Sequence, residues 1–200
     1  MTTDSSVLVP ADVNLALEIE AKDALWAAFK AAGGSVANGL AFAKNQGLIN
    51  HCVAKLNPRF INCNELPVKP DWAKEMTKNA PGGLVDSSTV TYFQTDAMKS
   101  GNWTVGTELG AAARNDGFNP ANATFGQKVH ASQDELLKDV PKEIQVLICT
   151  ETEFLDGGGV SYFVCLYRDG GRWHLDFCWT DCRFGGRYAV LVSASKLLVP

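Results

Sequence analysis

The sequence predicts an α+β fold, with N-terminal helices packed on a C-terminal antiparallel β-sheet built as a hairpin or meander. Three observations point there. Apolar residues recur at helical spacing through the first third of the chain. They alternate with polar ones through the last third, and glycine-containing turns join the alternating runs. Helices first and hairpins last is the segregated order of an α+β domain. No composition break marks a second domain, so residues 1–200 are taken as one: a helical part over about 11–80, a mixed, loop-rich part over about 81–142, and the sheet over about 143–196.

Asp12 can cap a first helix, along which Leu15, Ile19, Trp26 and Phe29 share one face before Gly33 and Gly34 end it. Ser35 can cap a second, carrying Val36, Leu40 and Ala43. A third carries Ile49, Cys52, Val53 and Leu56 and stops before Pro58. Pro58, Pro67, Pro70 and Pro81 then forbid long regular elements, leaving room for one short helix over 71–79. Residues 90–94 read as a strand and 102–105 as a second. The small, polar stretch from Gly106 to Gly126 is functional, mobile, or partly helical through Leu109 to Arg114. A short capped helix follows from Ser132. Residues 144–150, 160–168, 172–182 and 188–193 are strand-like, with Asp169, Gly170 and Gly171 giving the strongest hairpin signal.

The 200 residues are 46% hydrophobic and 20% charged, which excludes a disordered or fibrous chain. A net charge of −4 excludes a general attraction for nucleic acid or anionic membranes, and no apolar run is long enough to span a bilayer. The opening residues carry no basic or apolar leader pattern, so the six cysteines are expected as reduced thiols in a cytoplasmic setting. No glycine motif for a phosphate or dinucleotide is present, and no cofactor is expected.

The informative surface is the hairpin. On the strand beginning at Arg172, one face collects Trp173, Leu175, Phe177 and Trp179 and reads as core. The other collects Arg172, His174, Asp176, Cys178, Thr180 and Cys182. With Gly170 and Gly171 as the turn, Cys165 lies opposite Asp176 and Tyr167 opposite His174. With Asp169 and Gly170 as the turn, Cys165 lies opposite His174 and Phe163 opposite Asp176. Both registers keep the same residues on the same face. That second face, with Phe163, Tyr167 and three thiols, lacks the pattern of a wet surface. A helix, the 106–126 segment, a partner subunit or a ligand should therefore cover it.

Four readings of its polar residues stay open. Cys165 can serve as nucleophile with His174 as base and Asp176 orienting the imidazole. His174, Cys178 and Cys182, with Cys165 or Cys149, can hold zinc, although no metal ligands are assigned on this spacing. The face can line a small-molecule pocket, or His174 and Asp176 can simply pair beneath a covering element. Glu151, Glu153 and Asp156 form a further carboxylate group, best read as a solvated strand end. His51 with Cys52 and Cys63, and the lone His130, are read as packing or capping residues.

The string from Tyr167 to His174 resembles the hairpin of cone-shaped domains of the nuclear-transport-factor-like group, in which helices pack in a curved sheet; no family is assigned on it. The functional expectation is a non-enzymatic binding or assembly protein. Its contact would be the covered sheet face, through Tyr167, Phe163, Arg172 and Cys178, or the glycine-rich segment. The partner would be a protein, a small molecule or a second copy. The alternative is a small cysteine-dependent hydrolase or transferase using Cys165, His174 and Asp176.

Overall fold

The computed structural model describes residues 59–194. The three helices expected between residues 12 and 57, with His51 and Cys52, lie outside the described residues. Eleven strands and four α-helices follow in order, with one 3-10 turn over Ser87–Thr89. They are β1 (Phe60–Asn62), β2 (Ala73–Asn79), β3 (Leu84–Asp86), β4 (Val90–Phe93), α1 (Asp96–Lys99), β5 (Thr104–Val105), α2 (Gly106–Asn115) and β6 (Asn119–Pro120). Then come α3 (Ala123–Ala131), α4 (Gln133–Leu136), β7 (Val146–Asp156), β8 (Ser161–Asp169), β9 (Arg172–Trp179), β10 (Arg183–Phe184) and β11 (Tyr188–Ser193).

The expected α+β arrangement, N-terminal helices on a C-terminal antiparallel sheet, is corrected by this order. Strand occupies 42% of the described residues and helix 22%. The main sheet is mixed, with seven strands: β4, β11, β7, β8 and β9 form its path, β2 adds to β7, and β6 adds to β11. The chain leaves β9, crosses one face and returns as β11, parallel to β7, with Val190 opposite Ile148. A hairpin signal constrains only sequence neighbours, so it shows neither this crossover nor the upstream strands that complete the sheet. Residues 73–79, expected within a short helix, form β2 because they pair antiparallel with the distal half of β7, covering an edge that would otherwise lie open.

Both faces of the sheet are covered. On one, Leu147, Cys149, Val164, Leu166, Trp173 and Leu191 pack against Phe125 and Val129 of α3. On the other, Ile148, Phe163, Cys165, Val190 and Val192 pack against Leu109 and Ala113 of α2, Met98 of α1 and Phe184 of β10. Among the described residues the sheet therefore lies between two packed layers. Asn122 caps α3 by accepting from Phe125 N at 2.8 Å, while its Nδ2 donates to the carbonyls of Cys63 and Ala80 at 2.8 and 3.1 Å. One buried side chain thus ties the helix start to the two distant loops that carry Cys63 and Ala80.

Midway along β7 the pairing with β8 jumps, from Cys149 opposite Val164 to Glu153 opposite Phe163. Thr150, Glu151 and Thr152 are left without partners on β8, which bends the strand and lets two loops dock. Ala80 N donates to Glu151 O at 2.8 Å and Glu151 N donates to Ala121 O at 3.0 Å.

Candidate functional site

The hairpin joining β8 and β9 turns on Gly170 and Gly171, at φ of 55° and 83°, the left-handed backbone that a two-residue turn of this kind requires. The register follows: Cys165 faces Asp176, Tyr167 faces His174 and Phe163 faces Cys178. Arg168 anchors the base of the hairpin. Its guanidinium lies 4.3 Å over the Trp173 ring and donates to the carbonyls of Val140 and Pro141 at 2.9 and 3.0 Å.

The sulfur-bearing face is divided. At its inner end Phe163 and Cys165 are buried, Cys165 only 3% exposed, beneath α2 and β10. The covering comes from this chain itself: part of the glycine-rich 106–126 segment has folded into α2. Gly106 is seated so closely that a Cβ there would lie 2.3 Å from Thr180 O. At the outer end Tyr167, Arg172, His174 and Asp176 are exposed. The structure thus brings Cys165 and Asp176 together across the strands and sets His174 beside Tyr167 in solvent. The Asp176 carboxylate accepts from Phe177 N at 2.8 Å. Among the described residues no three His, Cys, Asp or Glu side chains are disposed to hold a metal ion, so the sulfurs and His174 do not assemble as a zinc set.

Next to the inner end, where Cys178 faces Phe163, lies an open cleft of about 270 Å³, lined by Phe177, Cys178, Trp179, Cys182, Arg183, Phe184 and Tyr188. The Arg183 guanidinium stacks 3.8 Å over Trp103, and Phe184 meets Tyr188 edge to face at 5.1 Å. Cys63, Cys149, Cys165, Cys178 and Cys182 are all free. A hydrogen bond to Cys165, together with burial, pushes the Cys178 thiol far above its usual range. Burial above all pushes Cys63 up to about 12, with Glu65 adding to it, and pushes Cys149 upward as well, with Cys165 and Cys63 adding to it.

The other face of β9 departs from its expected role as core. Trp173 is buried, but Leu175 and Trp179 are 39% and 54% exposed. The cause is position: β9 ends the sheet, with no strand beyond it among the described residues. A two-residue turn makes Asp169–Arg172 a hydrogen-bonded pair, so the backbone groups of residues 173, 175, 177 and 179 point outward. Trp173 is satisfied from α3 and α4: its N donates to Gln133 Oε1 at 2.7 Å, and its O lies 3.0 Å from His130 Nε2. Phe177 N is satisfied by Asp176, and Trp179 O by Cys182 N at 3.3 Å. Leu175 N and O, Phe177 O and Trp179 N have no partner among the described residues. Trp72 flanks this edge, packing at 4.9 Å on both Tyr162 and Phe177.

Sequence reasoning missed this edge, because an alternating pattern marks which face is apolar and not whether a neighbour covers it. It also missed the partners of the β7 carboxylates. Glu151 is 7% exposed, and its Oε1 receives Arg114 Nη1 at 2.6 Å. Lys78 Nζ stands 3.9 Å from Glu151 and 3.7 Å from Glu153, and donates to Thr150 O at 2.9 Å. Asp156 instead caps the turn to β8, accepting from Gly158 N and Val160 N at 2.8 and 2.9 Å. The group is divided into a buried ion pair and a turn cap.

Comparison with protein-family models, curated proteins and solved structures returns no match.

Proposed function

We propose that this protein is a binding module whose contact is the free edge of β9, where an extended segment of a partner protein adds as a further strand and seats an apolar side chain beside Trp179. The observation carrying this reading is the outward Leu175 N and O, Phe177 O and Trp179 N, unpaired among the described residues and bordered by exposed Leu175, Trp179 and Trp72. Strand addition matches such a surface: main-chain hydrogen bonds supply affinity and alternate side-chain positions supply specificity. Natural edges are ordinarily blunted by lysine, proline or a covering element. This one is plugged by His130 and Gln133 at Trp173, and among the described residues Leu175 N and O, Phe177 O and Trp179 N stay open. The cleft, at about 270 Å³, falls just below the ~300–1,000 Å³ usual for small-molecule sites, so it suits a single side chain of a peptide. No helix among the described residues is long and apolar enough to cross a membrane. The five cysteines among the described residues are free, which fits a reducing, cytoplasmic setting.

Peptides selected on this protein from a random library test the reading. Bound peptides should slow hydrogen exchange at the Leu175 and Trp179 amides. Leu175→Pro removes one outward N–H and leaves the β8–β9 ladder intact. It should weaken the selected peptides by roughly twofold to tenfold, the equivalent of one hydrogen bond. Peptides that protect other amides, or bind the folded Leu175→Pro variant equally well, overturn it. So does a dimer of the parent chain that Leu175→Pro dissolves, which would assign the edge to a second copy.

A further inference from the structure

We propose that Cys178 and Cys182 form a reversible thiol–disulfide pair at the mouth of the cleft, a modification site whose oxidation narrows the surface beside Trp179. Its role as a regulator rests on the strand-addition reading; the pair itself does not.

Position separates these two thiols from the other three among the described residues. Cys63, Cys149 and Cys165 are buried at 1%, 0% and 3% exposure, beyond reach of a dissolved oxidant. Cys149 is sealed further by Gly126, where even a Cβ would lie 2.4 Å from its sulfur. Cys178 and Cys182 are half-buried, free, and line the same open cleft. The chain reverses just after Cys178: Cys182 N donates to Trp179 O at 3.3 Å, closing a tight turn over residues 179–182 that directs the chain back along the cleft holding Cys178. Disulfides need Cα separations of roughly 4.4–6.8 Å, and the pair requires that the 179–182 turn bring Cys182 that close to Cys178. Both sulfurs also pack against the same apolar cluster, so neither must leave its surroundings to meet the other.

The natural oxidant class is a low-molecular-weight disulfide, RSSR. The Cys182 thiolate attacks one sulfur of RSSR, forming a mixed disulfide and releasing one thiolate, RS⁻, which takes up a proton. Cys178 then gives up its proton and attacks the Cys182 sulfur, expelling the second RS⁻ as RSH. Two protein thiols are oxidised by two electrons, and one RSSR is reduced to two RSH. Cys178 starts protonated, held so by its hydrogen bond to Cys165 and by burial, which assigns the first attack to Cys182 and resolution to Cys178. The closed ring ties the 179–182 turn to β9 and withdraws the sulfur wall of the cleft from any inserted side chain.

The intact protein, incubated with oxidised glutathione at mildly alkaline pH, should lose the mass of two hydrogens. Non-reducing peptide mapping should then join Cys178 to Cys182, and dithiothreitol should reverse the change. In Cys178→Ser the product should stop at glutathionylated Cys182; in Cys182→Ser no ring should form. A ring joining Cys165 to Cys178, a stable glutathione adduct on the parent chain, or no reaction while the protein stays folded each overturns the pair. Mapping needs no peptide, so it stands apart from the fate of the strand-addition reading. Where selected peptides are in hand, the oxidised form should bind them at least fivefold more weakly; equal binding removes the regulatory role.

Discussion

Single residues set the tolerances of this fold, and Gly126 shows how. It lies on α3 facing Cys149, and a Cβ built there would fall 2.4 Å from the Cys149 sulfur. Both residues are in the buried interior, where rearrangement is limited. Gly126→Ala should therefore destabilise by about 1–3 kcal/mol despite alanine's better helix propensity, through overpacking. Cys149→Ala, which removes the offending sulfur, should return most of that loss, and chemical denaturation of the double-mutant cycle measures the coupling. Additive effects would show that the helix shifts freely and that the contact is not tight. Little of this was legible in the sequence. Gly126 reads as a loop glycine among small polar residues, and its need for closeness arises only when α3 lies on β7. Cys165 and Cys178 were legible as residues of one face because strand alternation is a local rule. Their different exposures depend on what α2 and β10 cover.

At the scale of elements, the bulge in β7 ties three pieces of chain to one carboxylate. Glu151 is turned inward, Arg114 reaches it from α2 at 2.6 Å, and Lys78 approaches from β2 at 3.9 Å. Arg114 is half exposed, so a reading by exposure alone makes it dispensable. Removing it leaves a buried charge held by a more distant lysine and the Thr150 hydroxyl, an arrangement that costs more than the pair's net contribution. Arg114→Ala should lower stability by about 1–3 kcal/mol, whereas Arg114→Ala with Glu151→Gln should recover part of it; urea midpoints read both. A loss under about 0.5 kcal/mol for the single change would mean that water reaches Glu151 and supports it. The β8–β9 hairpin was the most legible element, since its turn chemistry and alternation agree. β2 was the least: its Lys, Glu and Thr side chains suit an edge strand as well as a helix surface, and only the open flank of β7 decides between them.

For the whole molecule the sheet order matters most. β7 has β8 along one side and shares its other side between β11 and β2, while β11 lies between β4 and β7. Amides of Leu147, Ile148 and Val190, fully buried in this centre, should exchange with solvent only by global unfolding. The Leu175 amide on the outer edge should exchange orders of magnitude faster, and native-state exchange followed by NMR separates the two classes. Comparable protection would place an unrecognised cover over β9. The interior strands were visible in the sequence as apolar runs, but their neighbours were not, because parallel pairing of β11 with β7 joins residues far apart in the chain. That placement also has a consequence for synthesis. The strand that wedges the sheet's two halves together, Tyr188–Ser193, is the last of the described strands to leave the ribosome. Until it emerges, β4 waits on one side and the β7–β8–β9 meander on the other, each with an exposed flank, so the sheet completes its centre only after its other described strands have been made.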